Sequence, residues 1–441
     1  MKPGTFHYVK TPYMSNKRRD FLKLIGLTGL GVAQSSLFPG SASANSSNHT
    51  DAAFDLIEND NPDTSVIGLY GPWASSLHQN NLPALSFRRP EFTRVDTWRK
   101  AAKQRLVERM AIPAIGGLPK VTIQKQYTYD GLHIEELNWS LPYGRPTEAI
   151  LLKPINAKGK LPAILGFHDH GGNKYFGYHK ITKTSDDQHP MMKEHQEKYY
   201  SKFAWANEMA KRGYVVLVSD TFTFGSRRVM LKDVPTRLRN GLIDGSSADR
   251  ESIGAYNTWA ANHEHIMAKS LFSAGITWPG VFFAEDQKAL DILCGRPDVD
   301  TTRIGCGGLS GGGLRTAFMA GLDPRIKCAI NVGFTSTWTD FLLNKSFTHT
   351  WMTYVPLLSK ELDFPEIMGL RVPLPTLVLN NSEDQLYTLS EMKKAEEISM
   401  DVFKKAGAAD RFKCSYYPGL HKFDGEMQVE AFQWFDRWLK S

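Results

Sequence analysis

The sequence predicts an α/β protein built on one mostly parallel sheet with helices on both faces, and three observations carry that prediction. Short apolar runs alternate with helix-length amphipathic segments through the second half of the chain. Those runs are nearly continuous in apolar residues, as expected for strands covered on both sides. An antiparallel start precedes them, so the whole reads as one α/β domain over residues 119–441. The chain has 441 residues, 41% of them hydrophobic and 22% charged, a composition typical of a globular protein with a large core.

From the N-terminus, the first segment reads as a leader. A basic stretch ending in Lys17, Arg18 and Arg19 precedes a moderately apolar run from Leu24 to Leu37, then Ala42-Ser43-Ala44. This is the order of an export signal with its cleavage site. The run is too short and too rich in glycine to act as a stable membrane anchor. Arg18-Arg19-Asp20-Phe21-Leu22-Lys23 resembles the twin-arginine motif, with Lys17 where Ser or Thr is usual. The resemblance implies passage through the twin-arginine export machinery and a periplasmic or secreted mature protein.

The same segment explains the charge. Residues 1–44 hold six Lys/Arg and one acid; taking them from 53 basic and 46 acidic residues leaves 47 and 45. The formal charge of +7 is thus mostly the leader's, and nucleic-acid binding loses its support. Residues 45–118 read as a polar linker followed by a helical extension from Trp98 ("WRKAAKQRLVERMAI") that packs on the main domain. Cys294, Cys306, Cys328 and Cys414 are too few and too scattered for a disulfide scaffold.

The main domain opens with "VTIQKQYTYDGLHIEELNWSLP", a hairpin turning at Asp130-Gly131, and then the strand "TEAILLKP". "LPAILGFHD", "YVVLVSD", "RIGCGGLS", "KCAINVGF", "LPTLVLNN" and "RFKCSYYPG" follow as strands, with helical segments between them. Residues 229–278 interrupt the alternation as an insertion, read as a lid or cap. In such sheets reactive groups collect at the carboxyl ends of the strands.

Six glycines surround Ser310 in "RIGCGGLSGGGLRTAF". Gly308-Leu309-Ser310-Gly311-Gly312 matches G-x-S-x-G directly after a strand and before a helix, where small neighbours let the two elements approach and the hydroxyl project above the sheet. A serine needs a base, and the base needs an orienting acid. Asp384 follows one later strand and His421 follows the last; Glu383 and Asp340 are rival acids. Oxyanion donors are expected from the backbone N–H of Gly311 and from the loop His168-Asp169-His170-Gly171-Gly172, with His170 favoured and Asp169 the alternative. His-x-His alone, without further ligands at suitable spacing, does not make a metal site, and no cofactor is expected. Arg227 and Arg228 are candidates for holding a substrate carboxylate.

"GFHDHGG", "SDTFTFGSRR", "RIGCGGLSGGG", "NNSEDQLY" and "PGLHKF", in this order, resemble the α/β-hydrolase superfamily. They are most similar to its dienelactone-hydrolase-like and acetyl-xylan-esterase-related branch. The resemblance spans about residues 85–440. It implies an eight-stranded, mostly parallel sheet with the insertion after the fourth strand, and ester hydrolysis through an acyl-enzyme. By it Ser310 is the nucleophile, His421 the base and Asp384 the orienting carboxylate, acting on a small or carbohydrate ester of acetyl-xylan type. Two departures stand out: serine replaces the cysteine of true dienelactone hydrolases, and HDHGG replaces HGGG. A peptidase of the same fold and a non-catalytic binding protein are the rival readings.

Overall fold

The computed structural model describes residues 64–79, 82–245 and 249–440. The expected export signal at 1–44 and the first part of the linker lie outside them. Two helices come first, α1 (Tyr70–Gln79) and α2 (Val95–Met110). Helix α2 buries Trp98, Ala102, Leu106 and Met110, residues four apart that form one stripe, so the extension is part of the main core.

Strands β1 (Thr122–Tyr129) and β2 (Leu132–Trp139) form the hairpin, followed by β3 (Thr147–Pro154) and β4 (Leu161–Phe167). Asp130 and Gly131 both have positive φ (51° and 76°), as the tight hairpin turn demands. Next come α3 (Pro190–Tyr200), α4 (Trp205–Lys211), β5 (Val215–Ser219), α5 (Arg250–Ser273) and α6 (Trp278–Cys294). Strand β6 (Val299–Leu309) leads into α7 (Gly311–Leu322), then β7 (Ile326–Val332), α8 (Trp338–Leu343) and α9 (Phe364–Gly369). The chain closes with β8 (Thr376–Asn381), α10 (Leu389–Lys405), β9 (Phe412–Tyr417) and α11 (Gly425–Leu439).

The sheet has nine strands in the order β1-β2-β3-β5-β4-β6-β7-β8-β9. This corrects the expected eight: both strands of the hairpin join the edge. The pairs from β1 to β5 are antiparallel and those from β5 through β4 to β9 are parallel. For the same reason the 229–278 insertion follows the fifth strand, not the fourth. Its main element is the 24-residue α5.

Strand parity divides the core into two layers. Ala163, Leu165 and Phe167 of β4, with Val215 and Leu217 of β5, face α2, α6, α7, α9 and α10. Ile164, Val216 and Val218 face α4 and α11. Helix α7, which begins right after Ser310, is fixed to α6 by a buried bidentate pair between Arg315 and Asp286 (2.9 and 2.6 Å). The four cysteines are free.

Candidate active site

Ser310 sits between β6 and α7 with φ 58° and ψ −119°, a conformation that strains any residue with a side chain. Its N–H donates to Val332 O (2.8 Å) at the end of β7, and its carbonyl accepts from Leu314 N (2.9 Å), the first turn of α7. The glycines around it have a steric cause. A Cβ on Gly308 would lie 2.2 Å from Phe167 O and one on Gly312 2.4 Å from the same oxygen. Both contacts are with backbone of the next strand, which cannot swing away as a side chain would. The elbow and the loop after β4 therefore touch backbone to backbone.

Asp384 follows β8 and is buried. Its Oδ1 accepts from Leu386 N (3.0 Å), and its Oδ2 pairs with His421 Nδ1 at 2.6 Å. The two rival acids go elsewhere. Asp340 accepts from Ser336 Oγ (2.6 Å) and Thr388 N (3.1 Å), while Glu383 accepts from Gly419 N (3.2 Å). His421 follows β9 and packs over Gly333: a Cβ there would meet its Cε1 at 2.8 Å and Nδ1 at 3.2 Å. Gly333 is the next residue after Val332, whose carbonyl holds the Ser310 N–H. Serine and imidazole thus share the end of β7. His421 Nε2 is buried and has no hydrogen-bond partner among the described residues. Burial pushes the imidazolium pKa down, but the Asp384 charge and hydrogen bond push it up and prevail, leaving it above the ordinary 6.5.

The loop after β4 faces the elbow. A Cβ on Gly311 would stand 3.0 Å from His170 N and 3.3 Å from its Cβ. Neither the His170 nor the Gly311 N–H donates to a protein acceptor among the described residues. The side chains of His168 and His170 diverge. His168 Nδ1 bonds Asp169 O (3.0 Å). His170 Nδ1 accepts from Gly172 N (3.1 Å), and its Nε2 faces Glu264 of α5 (3.1 Å) and Lys174 (2.8 Å). Glu264 and Lys174 form a buried ion pair. Burial, reinforced by the Lys174 charge, lowers the His170 pKa to about 4, so this ring is neutral.

Arg227 and Arg228 part company, which corrects their joint assignment to a substrate carboxylate. Arg227 is 5% exposed; its guanidinium pairs with Glu285 of α6 (2.6 Å) and donates to Tyr143 O (3.1 Å) and Arg145 O. Those partners take up both terminal nitrogens, and although Nε has no partner among the described residues it is buried with the rest of the side chain, away from an incoming anion. Arg228 is half-buried with its guanidinium 4.4 Å from the Tyr175 ring centroid, and lines a cleft of about 410 Å³ with Arg145, His179 and Asp220. Ser310, Asp384 and His421 do not line that cleft.

No family model matches the chain. In sequence it is 27% identical over 309 residues to "Putative hydrolase YtaP" of Bacillus subtilis (strain 168), covering 69% of this chain and 88% of that one. In structure it resembles the "putative acetyl xylan esterase" of Bacteroides fragilis NCTC 9343 with a TM-score of 0.57 at 18% identity, over 78% of this chain and 81% of that one. A glucuronoyl esterase from Solibacter usitatus gives a TM-score of 0.52 at 14% identity, over 81% and 97%. The mixed sheet and these neighbours fit an α/β-hydrolase fold. At such identities the likeness to the solved structures is one of fold.

Within that fold, several groups at the site escaped the motif search. His349 packs edge-on against Tyr387 (4.9 Å), its Nε2 is buried without a partner among the described residues, and burial lowers its pKa to about 3. Tyr387 donates to Gly333 O (2.9 Å), bracing the residue under His421. Asp169 accepts from Tyr200 Oη (2.5 Å) and pairs with His195 Nε2 (3.0 Å), tying the loop after β4 to α3. Of these residues only Asp169 belongs to a short pattern, "HDHGG", where the sequence offers it as an alternative oxyanion donor and gives no sign of its side-chain partners.

Proposed function

We propose that the protein is a serine hydrolase that cleaves a carboxylic ester through an acyl-enzyme, with Ser310, His421 and Asp384 as its catalytic groups. The observation that carries this reading is a half-buried imidazole held by a carboxylate at Nδ1, at the same strand end as a serine on a strained strand-to-helix turn.

In the reaction, Ser310 Oγ attacks the ester carbonyl while His421 Nε2 takes its proton. Asp384 keeps the proton of Nδ1 in place and stabilises the imidazolium. The oxyanion of the tetrahedral intermediate lies between the N–H groups of Gly311 and His170, which are short of acceptors in the free protein. His421 then hands its proton to the leaving alcohol. Water repeats the sequence in reverse, and the acid is released. The insertion, whose α5 brings Glu264 to His170, acts as a cap on the substrate.

The substrate class is a carbohydrate ester. Support comes from the acetyl xylan and glucuronoyl esterases of the same fold and from the related hydrolase. Arg228 is the remaining candidate for a sugar carboxylate. A fluorophosphonate probe should label the protein at Ser310, and a screen of acetyl, glucuronoyl, feruloyl and alkyl esters should favour the sugar esters. Absence of labelling would leave a binding protein, and preferential peptide cleavage would leave a peptidase.

The acid side of the pH profile follows from the raised pKa of His421. The base must be neutral, so kcat/KM should rise with pH through an inflection above 6.5, the ordinary imidazole value. An inflection below 6.5 would show that burial, not Asp384, governs this histidine.

The leader at 1–44 directs export of the folded protein. Replacing Arg18 and Arg19 together by lysine should hold the precursor in the cytoplasm, as fractionation and immunoblotting would show. Unchanged export would remove the twin-arginine reading.

A further inference from the structure

A backbone N–H can be tuned only through the peptide that carries it, and the peptide that carries the His170 N–H has an unusual neighbour. Lys180 lies in the short helical turn Tyr178–Lys180 and is wholly buried. Its Nζ donates to Asp169 O (2.8 Å) and His170 O (2.9 Å), and stands 3.8 Å from Asp169 Oδ2. The mechanism above makes no use of it.

Asp169 O and the His170 N–H belong to one planar trans peptide and point to opposite sides. Anchoring that oxygen on Lys180 therefore turns the N–H away from the lysine, toward Gly311, whose would-be Cβ lies 3.0 Å from His170 N. The cation sits at the negative end of the peptide dipole. It draws electron density toward the carbonyl oxygen and leaves the N–H a stronger donor, as in any cooperative hydrogen-bond chain.

We propose that Lys180 is a positioning residue for ester hydrolysis, its ammonium fixing and polarising the Asp169–His170 peptide so that the His170 N–H meets the oxyanion. The inference rests on the reading of Ser310 as nucleophile. Satisfying the two carbonyls alone does not account for the lysine. Both carbonyls have another donor, since His168 Nδ1 serves Asp169 O (3.0 Å) and Asn173 N serves His170 O (3.0 Å). Asp169 likewise keeps Tyr200 and His195. Asp169 Oδ2 has no hydrogen-bond partner among the described residues and stands 3.8 Å from the ammonium, so losing the cation also costs stability, and the melting temperature is read separately from kcat.

The ammonium is under pressure to lose its proton. Burial lowers its pKa to about 8, with Lys174 and Arg315 pushing the same way and Asp169 and Asp220 opposing them. The ring of Phe224, 4.8 Å away, covers another side. A neutral amine polarises the peptide less, so kcat should decline as the solution becomes alkaline.

Kinetics on p-nitrophenyl acetate with Lys180→Met test this. The expected result is a fall in kcat on the order of 10²-fold with KM nearly unchanged, the mark of an interaction made in the transition state. Binding of a trifluoromethyl ketone, which forms an oxyanion on Ser310, should weaken in parallel. The wild-type decline in kcat near pH 8 should be absent from the variant. A folded Lys180→Met protein with wild-type kcat, or with the same alkaline decline, overturns the proposal. Should that variant not fold, Lys180→Gln, which keeps a neutral donor, is read by the same two criteria; a wild-type kcat that stays flat to about pH 10 also overturns it. Ser310→Ala separates the two readings. If it stays active, the nucleophile assignment fails. If it is inactive while Lys180→Met behaves as wild type, only the role of Lys180 fails.

Discussion

Ser310→Ala is expected to lower kcat for p-nitrophenyl acetate by roughly 10⁶-fold, the scale on which removal of an activated nucleophile acts. No neighbouring hydroxyl takes over, because the backbone at Ser310 (φ 58°, ψ −119°) is what aims the Oγ above β6. The substitution leaves the fold alone. Alanine carries the same Cβ into the same strained conformation, and the N–H bond to Val332 O is untouched. The melting temperature should therefore match wild type, and fluorophosphonate labelling should vanish. A variant that melts normally and still hydrolyses the ester at an appreciable fraction of the wild-type rate would remove Ser310 from the mechanism.

Asp384→Asn should cost about 10⁴-fold in kcat. The carboxylate holds the proton of His421 on Nδ1 at 2.6 Å, which leaves Nε2 free to accept. An asparagine amide can present its N–H₂ to Nδ1 instead, reversing the tautomer and putting a proton where the base is needed. The same change removes the Asp384 charge that, with its hydrogen bond and the charge of Asp169, offsets burial, so the residual activity should have its acid inflection at lower pH than wild type. Measuring kcat/KM against pH for both proteins checks the two effects together. An Asp384→Asn enzyme with normal kcat, or with its acid inflection unmoved, would mean that another carboxylate serves His421. Asp340 and Glu383 are poor substitutes, since both are engaged with other partners.

The strands, the helices and the order of the site residues were legible in the chain because each rests on local rules. Apolar runs such as "YVVLVSD" mark buried strands, and the glycines about Ser310 mark a turn that side chains would obstruct. The resemblance implied eight strands, but whether the hairpin at Asp130-Gly131 stands apart or joins the edge depends on pairing between β2 and β3, which no local pattern specifies. Arg227 misled for a similar reason. It follows a strand end, where ligands often bind, yet its carboxylate partner Glu285 lies 58 residues away on α6.

What the sequence determined by itself is the set of candidate groups and their places at strand ends, because periodicity and turn chemistry are properties of neighbouring residues. Only the tertiary structure decided which acid meets His421, which arginine is sealed away, and that Lys180 lies beneath the Asp169–His170 peptide. Those outcomes depend on burial and on contacts between distant segments, and the energies of both exist only once the chain has closed on itself.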